Sequence, residues 1–377
     1  VIGIQQCDVC GTPLTISEEL SWDANGAITL KRSPRGRMVF FESESIDRLF
    51  KGIEELIGFS IRNIVIESKS RDTRRYIERL LTPEMSGFMP EQWRGTEGGG
   101  DVMTPEERQA NLAIVKAVTQ NMINLSRIYG YGDERLGDSW DSGDDYPWRS
   151  QIYRNPYSLL FVAADNLGSG EVFEKSDMWV RWEDMGENTY RIEVYPNEHP
   201  IDLGERLKKR RYDLKPGDIV YERCPGCGVP QEVAKLEYDL GEGTYTNPDT
   251  GWRMAVFGPF SIDSIFDDLE AELGAAIPET VIEAQRRYIK SAWGVERWNR
   301  SGATFQKMIG LRGLGNQVEF EGDRNHLTMK IENSCLHLPI IGTIQALVEM
   351  AYRVEGSSCE WELADDGDLN LTISVKR

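Results

Sequence analysis

One stretch of this chain occurs twice, and any fold must accommodate that. Residues 253–289 read RMAVFGPFSIDSIFDDLEAELGAAIPETVIEAQRRYI, and residues 37–77 read RMVFFESESIDRLFKGIEELIGFSIRNIVIESKSRDTRRYI. The two share Arg-Met, a short apolar run, Ser-Ile-Asp, a Phe, an apolar helical stripe, a Gly, then Val-Ile-Glu and Arg-Arg-Tyr-Ile. Self-similarity of this length implies a duplicated unit, so function is to be sought in what each unit encloses or in what the two build together.

The similarity extends beyond that stretch. Cys7, Cys10, Gly11 and Pro13 stand before the first Arg-Met, and Cys224, Cys227, Gly228 and Pro230 stand at nearly the same distance before the second. Each C-x-x-C has the form of a zinc knuckle, a tight turn that aims two sulfurs at one spot while Gly lets the backbone fold around them. After a strand at Met38–Phe41, Ile46, Leu49, Phe50, Ile53, Leu56 and Ile57 follow helical spacing from about Ser45, with Gly58 as the stop. Ile262, Ile265, Phe266, Leu269 and Leu273 repeat the stripe, closed by Gly274, and these are read as core positions. A second helix is predicted through Glu67–Leu81 and through Pro278–Trp293; on it Glu67 and Arg71, and Glu283 and Arg287, stand one turn apart.

Thr104, Pro105 and Glu107 predict a capped helix running to about Tyr129 and ending in Gly130-Tyr131-Gly132; a shorter helix through Phe305–Leu311 ends in Gly313-Leu314-Gly315. Ile152–Asn155 and Lys330–Asn333 then read as strands ending in Asn. Apolar helices follow at Leu159–Val172 and Leu338–Val354. Hairpins close the copies, Met178–Trp182 with Tyr190–Val194 and Cys359–Leu363 with Leu369–Val375, turning at Gly186 and Gly367. The expected class is α/β in the α+β sense: two duplicated units, each an antiparallel sheet packed with helices and opened by a zinc knuckle. The expected domains are a first repeat at 1–200 with insertions at about 82–103 and 134–150, a basic linker at 201–223 carrying Arg206, Lys208, Lys209, Arg210 and Arg211, and a second repeat at 224–377.

Composition narrows the partners. The 377-residue chain has room for two or three cores. A formal net charge of -19 without a basic tail opposes a polyphosphate, so no nucleic-acid partner is expected. The chain has no run of about 18 apolar residues and its first residues show no secretory pattern, so the expectation is a cytoplasmic protein without a membrane span. Six cysteines, four of them in two C-x-x-C pairs, suit reduced thiols or metal ligands better than a disulfide framework. A structural zinc site takes four ligands, and each C-x-x-C supplies two. Cys7 and Cys10 are therefore expected to face Cys224 and Cys227 across a pseudo-twofold axis around one zinc ion, with rubredoxin-like iron in the same cage or a metal-free redox pair as alternatives.

The order of elements in each repeat resembles the vinyl-reductase type of hydrocarbon-binding domain, whose fold is shared with haem nitric-oxide sensors and some vesicle-tethering subunits. A helix ending in Gly-x-Gly, a strand ending in Asn, an apolar helix and a final hairpin with Cys carry the resemblance; in the second repeat these include Asn333, Cys335 and Cys359. The first repeat departs from it, with Tyr157 at the place of Cys335 and Met178 at that of Cys359. The resemblance implies an apolar cavity for a small hydrophobic ligand between the sheet and the helices containing Phe50 or Phe266, with Tyr157 and Cys335 beside it. It does not by itself imply reductase activity.

The function expected is thus a non-catalytic ligand-binding or carrier protein, its two domains clamped by a structural metal. The alternative is an accessory subunit of an enzyme assembly whose cavities are filled, with a protein partner or a second copy against surfaces carrying Trp93, Trp140 and Trp148. An enzyme built on Glu332, Cys335 and His337 ranks third, because no nucleophile, base and orienting acid stand in a recognised arrangement and no cofactor fingerprint is present.

Overall fold

The computed structural model describes residues 4–80, 104–204, 213–293, 305–323 and 325–375. Among them are helices α1 (Leu14–Glu19), α2 (Ser43–Ile57), α3 (Arg62–Leu80), α4 (Pro105–Ile128), α5 (Leu159–Glu174), α6 (Gln231–Ala234), α7 (Phe260–Leu273), α8 (Ile277–Ala292), α9 (Phe305–Leu311) and α10 (His337–Tyr352). The strands are β1 (Leu20–Trp22), β2 (Ile28–Leu30), β3 (Ser33–Glu42), β4 (Asp133–Leu136), β5 (Ser150–Arg154), β6 (Met178–Gly186), β7 (Thr189–Pro196), β8 (Glu237–Asp239), β9 (Thr244–Thr246), β10 (Arg253–Phe257), β11 (Asn316–Gly322), β12 (His326–Glu332), β13 (Ser357–Leu363) and β14 (Leu369–Val375). Helix and antiparallel sheet are mixed, the α+β class. The expected loop at 82–103 and the basic cluster from Arg206 to Arg211 lie outside the described residues.

Two compact units result, and they do not follow the expected division at 200 and 224. The first comprises Arg62–Leu207 with Leu240–Thr244; the second comprises Ile2–Ile61, Lys208–Asp239 and Tyr245–Arg377.

In the first unit the sheet order is β4-β5-β7-β6, all antiparallel. Helix α5 lies along α3, crossing at Gly168, where a Cβ would collide with the Ser70 carbonyl oxygen, so the close approach needs glycine. Helix α4 starts on a capping box: the Thr104 hydroxyl accepts from the Glu107 N–H at 3.2 Å, and the Glu107 carboxylate accepts from the Thr104 N–H at 2.8 Å. The insertion before β5 is held by its own aromatics, since Trp148 packs with Val115 and Phe173, flanked by Trp140 and Tyr146. Gly243 belongs here too, and its carbonyl accepts from the Gly132 N–H at 3.0 Å.

The second unit has a six-stranded sheet in the order β1-β2-β3-β10-β9-β8 and a four-stranded sheet in the order β11-β12-β14-β13. β3 and β10, which begin or contain the two Arg-Met sequences, pair antiparallel at the centre, with Phe40 opposite Val256 and Phe41 opposite Ala255. The early segment is tied to the late one. Trp22 Nε1 donates to the Leu311 carbonyl at 3.0 Å, Gly315 N–H to the Gly26 carbonyl at 3.1 Å, and the buried Arg37 to the Gly313 carbonyl at 2.9 Å and to that of Asn333. These bonds, with the burial of Trp22, Ile28 and Val39, hold residues 4–61 with the C-terminal sheet. Helix α2 buries Ile46, Leu49, Phe50 and Ile53 and stops at Gly58 in the left-handed region at φ 84°. Helices α8 and α10 cross at Gly342, which lies against the Ile282 carbonyl.

Most expected elements agree in position with the observed ones to within a few residues. β4 and β11 were not foreseen, because Asp133-Glu134-Arg135 and Glu319-Phe320-Glu321 carry charges at alternate or adjacent positions, as sheet edges do.

Candidate metal centre

Four thiols converge in the second unit. Cys7 Sγ stands 4.0 Å from Cys224 Sγ and Cys10 Sγ 3.6 Å from Cys227 Sγ, and all four sulfurs lie within 4.8 Å of one another. A tetrahedral zinc with Zn–S bonds of about 2.3 Å has sulfur-to-sulfur edges of about 3.8 Å, so the two distances bracket what such an ion needs. The donor set of four Cys suits zinc or iron, and the identity of the ion does not follow from the sulfurs alone.

Local sequence builds each half of the site in the same way. Gly11 N–H donates to the Cys7 carbonyl at 2.8 Å and Gly228 N–H to that of Cys224 at 2.9 Å; both glycines are left-handed, at φ 75° and 79°. Cys7 N–H reaches the Thr12 carbonyl and Cys224 N–H that of Val229, each at 2.9 Å. Isolated bridges Gln6 to Pro13 and Arg223 to Pro230 close the turns. Between the cysteines the halves differ, with Gly226 where the first has Val9. A Cβ on Gly226 would stand 2.8 Å from Cys7 Sγ and 2.8 Å from a Val9 methyl, so the side chain of Val9 occupies the space that Gly226 leaves.

Cys7 and Cys224 are buried, Cys10 and Cys227 half-buried. Backbone N–H groups of Cys227 and, less strongly, Gly226 stabilise the Cys224 thiolate and bring its pKa down to about 7, whereas burial pushes the Cys227 thiol up to about 12 and raises Cys10. A cation among the sulfurs would override that spread, because a coordinating thiol is deprotonated outright. Cys10 Sγ lies 3.2 Å from the fully buried Thr12 hydroxyl, which orients it.

The remaining candidates sit elsewhere. Cys335 is buried and donates to the Gly313 carbonyl at 3.4 Å; Cys359, on β13, is raised to about 12 by burial. Phe50 and Phe266 are 2% and 4% exposed and pack as core. Tyr157, in the first unit, stacks on Tyr131 with ring centroids 4.2 Å apart. His337 packs beside Trp361, and Glu332 lies at the end of β12 next to Lys330 at 3.6 Å.

A cleft opens in the second unit between α8, α9, α10 and the end of β3. Its empty space is about 420 Å³, including the part open to solvent, and its enclosed part is narrow. Trp293, Phe305, Met308, Ile309, Leu336 and Ile340 give it apolar walls; Glu42, Ser45, Gln285, Arg312 and Thr343 are its polar side chains. Neither Phe50, Phe266 nor Cys335 is among the lining residues. Gln285 had no signal in the sequence, since a glutamine within a helical stripe reads as surface.

The first unit carries a cluster of buried charge around a histidine. His199 Nδ1 lies 2.6 Å from Glu67, and its Nε2 meets Glu171, which also faces Arg74 at 3.2 Å. Hydrogen bonds to Glu171 and Glu67 raise His199 to about 10 against the cost of its burial. Arg71, one turn from Glu67, donates to the Gly204 carbonyl at 2.5 Å, whereas Arg287 meets Glu283 at 2.6 Å as expected of that pair. Nearby, Asp165 accepts from Lys69 and, at 2.6 Å, from the Thr73 hydroxyl, and burial lifts Glu134 to about 7.

Among the described residues no helix is long and apolar enough to cross a membrane. A scan against protein-family models and searches of curated proteins and of solved structures returned no match.

Proposed function

We propose that this chain is a non-catalytic binding protein in which one structural zinc ion joins two C-x-x-C turns and a narrow apolar cleft takes a small hydrophobic molecule. The observation that carries the reading is the meeting of Cys7 with Cys224 and of Cys10 with Cys227, each pair 217 residues apart in sequence. Such convergence across the chain closes a tetrahedron, as structural zinc sites require, and leaves no open coordination position for chemistry. Pairing of β3 with β10, and the common order of the two four-stranded sheets, support a duplicated origin and, with it, a tandem domain of the vinyl-reductase hydrocarbon-binding type. The reducing cytoplasm suits four zinc-bound thiolates.

The narrowness of the cleft favours one second reading, an accessory subunit whose cavities are filled by side chains. Native mass spectrometry and metal analysis separate the two. One zinc per chain with a retained small molecule is the expected result; one zinc with no uptake of any apolar compound, and a stoichiometric protein partner, supports the second. Near-complete loss of zinc is expected in the Cys224→Ser, Cys227→Ser variant. Full zinc occupancy in that variant would mean that the turns do not share an ion.

A further inference from the structure

Exposure divides the four converged sulfurs into two kinds. Cys7 and Cys224 are 7% and 3% exposed, whereas Cys10 and Cys227 are half-buried. The residues between the cysteines, Asp8 and Val9 in one turn and Pro225 and Gly226 in the other, are exposed, so both turn tips face solvent. One cysteine of each turn is thus open to a small solute, and the other is withheld from it.

The two reachable sulfurs belong to different turns, and they are in contact: Cys10 Sγ stands 3.6 Å from Cys227 Sγ. A disulfide needs about 2.05 Å between its sulfurs, so this pair has only about 1.6 Å to close. The buried pair, Cys7 and Cys224, stands 4.0 Å apart and lacks the access. A bond within either turn would join a half-buried sulfur to a buried one, whereas a bond across the turns joins the two that an oxidant meets first. Exposure matters here because oxidation of cysteine follows thiolate character and access together. Cys335 and Cys359 stand outside the cluster and offer neither sulfur a competing partner.

We propose that Cys10 and Cys227 are an oxidation site at which hydrogen peroxide forms one disulfide across the two turns, ending metal coordination while keeping the turns joined. The release of the ion rests on the zinc reading above; the choice of partners rests on the sulfur positions alone. One of the two thiolates attacks a peroxide oxygen, the O–O bond breaks, and a sulfenic acid forms as hydroxide leaves. The other thiolate attacks that sulfur, the S–O bond breaks, and the disulfide forms as a second hydroxide leaves. Two electrons pass from the sulfurs to the peroxide, and two protons from solvent turn the hydroxides into water. Only Cys7 and Cys224 then remain as ligands, too few for a closed tetrahedral site, and the ion departs. The new bond joins residues 217 positions apart, so it restricts the unfolded chain strongly and leaves the zinc-free oxidised protein firmer than the zinc-free reduced one.

The test uses the full chain. Metal analysis of the reduced protein comes first; hydrogen peroxide is then added, released zinc is read with a chromogenic chelator, and disulfides are mapped by mass spectrometry of unreduced peptides. The expected product carries Cys10 bonded to Cys227 with Cys7 and Cys224 still free thiols, one zinc released per cross-link, and a melting temperature above that of reduced protein stripped by chelator. Dithiothreitol with added zinc should restore the starting state. The Cys7→Ser, Cys224→Ser variant keeps the reachable pair and should still form the cross-link, whereas Cys10→Ser should form none between the turns; the double variant decides alone if Cys10→Ser does not fold. A bond between Cys7 and Cys10 or between Cys224 and Cys227 as the main product overturns the proposal and leaves the zinc reading standing. Zinc retained in full with all four thiols intact does the same. A reduced chain that holds no zinc and still joins Cys10 to Cys227 overturns the zinc reading and upholds the pairing.

Discussion

Each unit holds a four-stranded sheet of the same strand order, and the interiors beside those sheets differ. In each, an asparagine in the left-handed region, Asn155 at φ 51° and Asn333 at φ 54°, ends a strand and precedes a helix of 16 residues. Those helices stop on Lys175 and Arg353, again left-handed, at φ 48° and 57°. Counting from the asparagines, Tyr157, Phe161 and Asp165 of the first unit stand where the second has Cys335, Pro339 and Thr343; Tyr131 stands where Leu314 does between its glycines. The first set fills its space with stacked rings and with an ion pair to Lys69. In the second, Leu314, Pro339 and Thr343 line the cleft. A few side-chain volumes thus separate a filled interior from one with a narrow cleft.

The charged helix contacts differ in the same way. Glu171 and Glu349 occupy corresponding positions, but Glu171 meets His199 and Arg74, whereas Glu349 meets Arg286 at 2.7 Å, Lys290 at 2.7 Å and the Ser357 hydroxyl at 2.8 Å. The first cluster is built around a histidine and the second around an arginine and a lysine.

The largest effect concerns what the two halves share. Replacing Cys7 and Cys10 by Ser should remove the ion as completely as replacing Cys224 and Cys227, and each change should destabilise by on the order of 5 kcal/mol, below the 10–16 kcal/mol apparent for zinc-finger peptides because the surrounding sheet already gathers the turns. Metal content and urea titrations of both variants side by side would show it. Unequal losses would assign the ion to one turn.

Glu349→Ala should follow, at about 3–5 kcal/mol, since it leaves the Arg286 and Lys290 cations facing each other near a wholly buried site. Chemical denaturation measures it, and a cost below 1 kcal/mol would show that water already compensates those charges. His199→Gln should cost about 2 kcal/mol at pH 6, the scale of hydrogen bonds to charged groups. The sign of its pH dependence follows from a pKa raised to about 10 from an ordinary 6.5: the stabilisation by His199 is complete below pH 6.5 and is lost as pH rises through 10. The melting-temperature gap between wild type and His199→Gln should therefore narrow between pH 6 and pH 10.5, and a constant gap would contradict the pairing with Glu67 and Glu171.

Arg287→Ala should be the mildest change, under about 0.5 kcal/mol, because its bond to Glu283 lies on a side chain 64% exposed. Thermal unfolding should hardly distinguish it from wild type. A loss above 1 kcal/mol would imply that this face is covered.

Local features were readable from residue order. The stripe of Ile46, Leu49, Phe50 and Ile53 specifies α2, Thr104 and Glu107 specify the start of α4, and glycine with cysteine spacing specifies each sulfur-bearing turn, because helical period, capping and left-handed turns are settled by neighbours. Nearly equal spacing before the two Arg-Met pairs also placed Cys7 and Cys10 with Cys224 and Cys227.

Tertiary structure alone decided that residues 4–61 complete the C-terminal unit and that Leu240–Thr244 joins the first. Residue patterns state which face of a strand is apolar, but the partner depends on whether Gly26 can reach Gly315, Gly243 can reach Gly132 and Trp22 can reach Leu311. The cleft likewise depends on distance: Gln285 becomes a buried, unsatisfied acceptor only because α8 and α10 approach at Gly342, and helical periodicity carries no information about how closely two helices will pack.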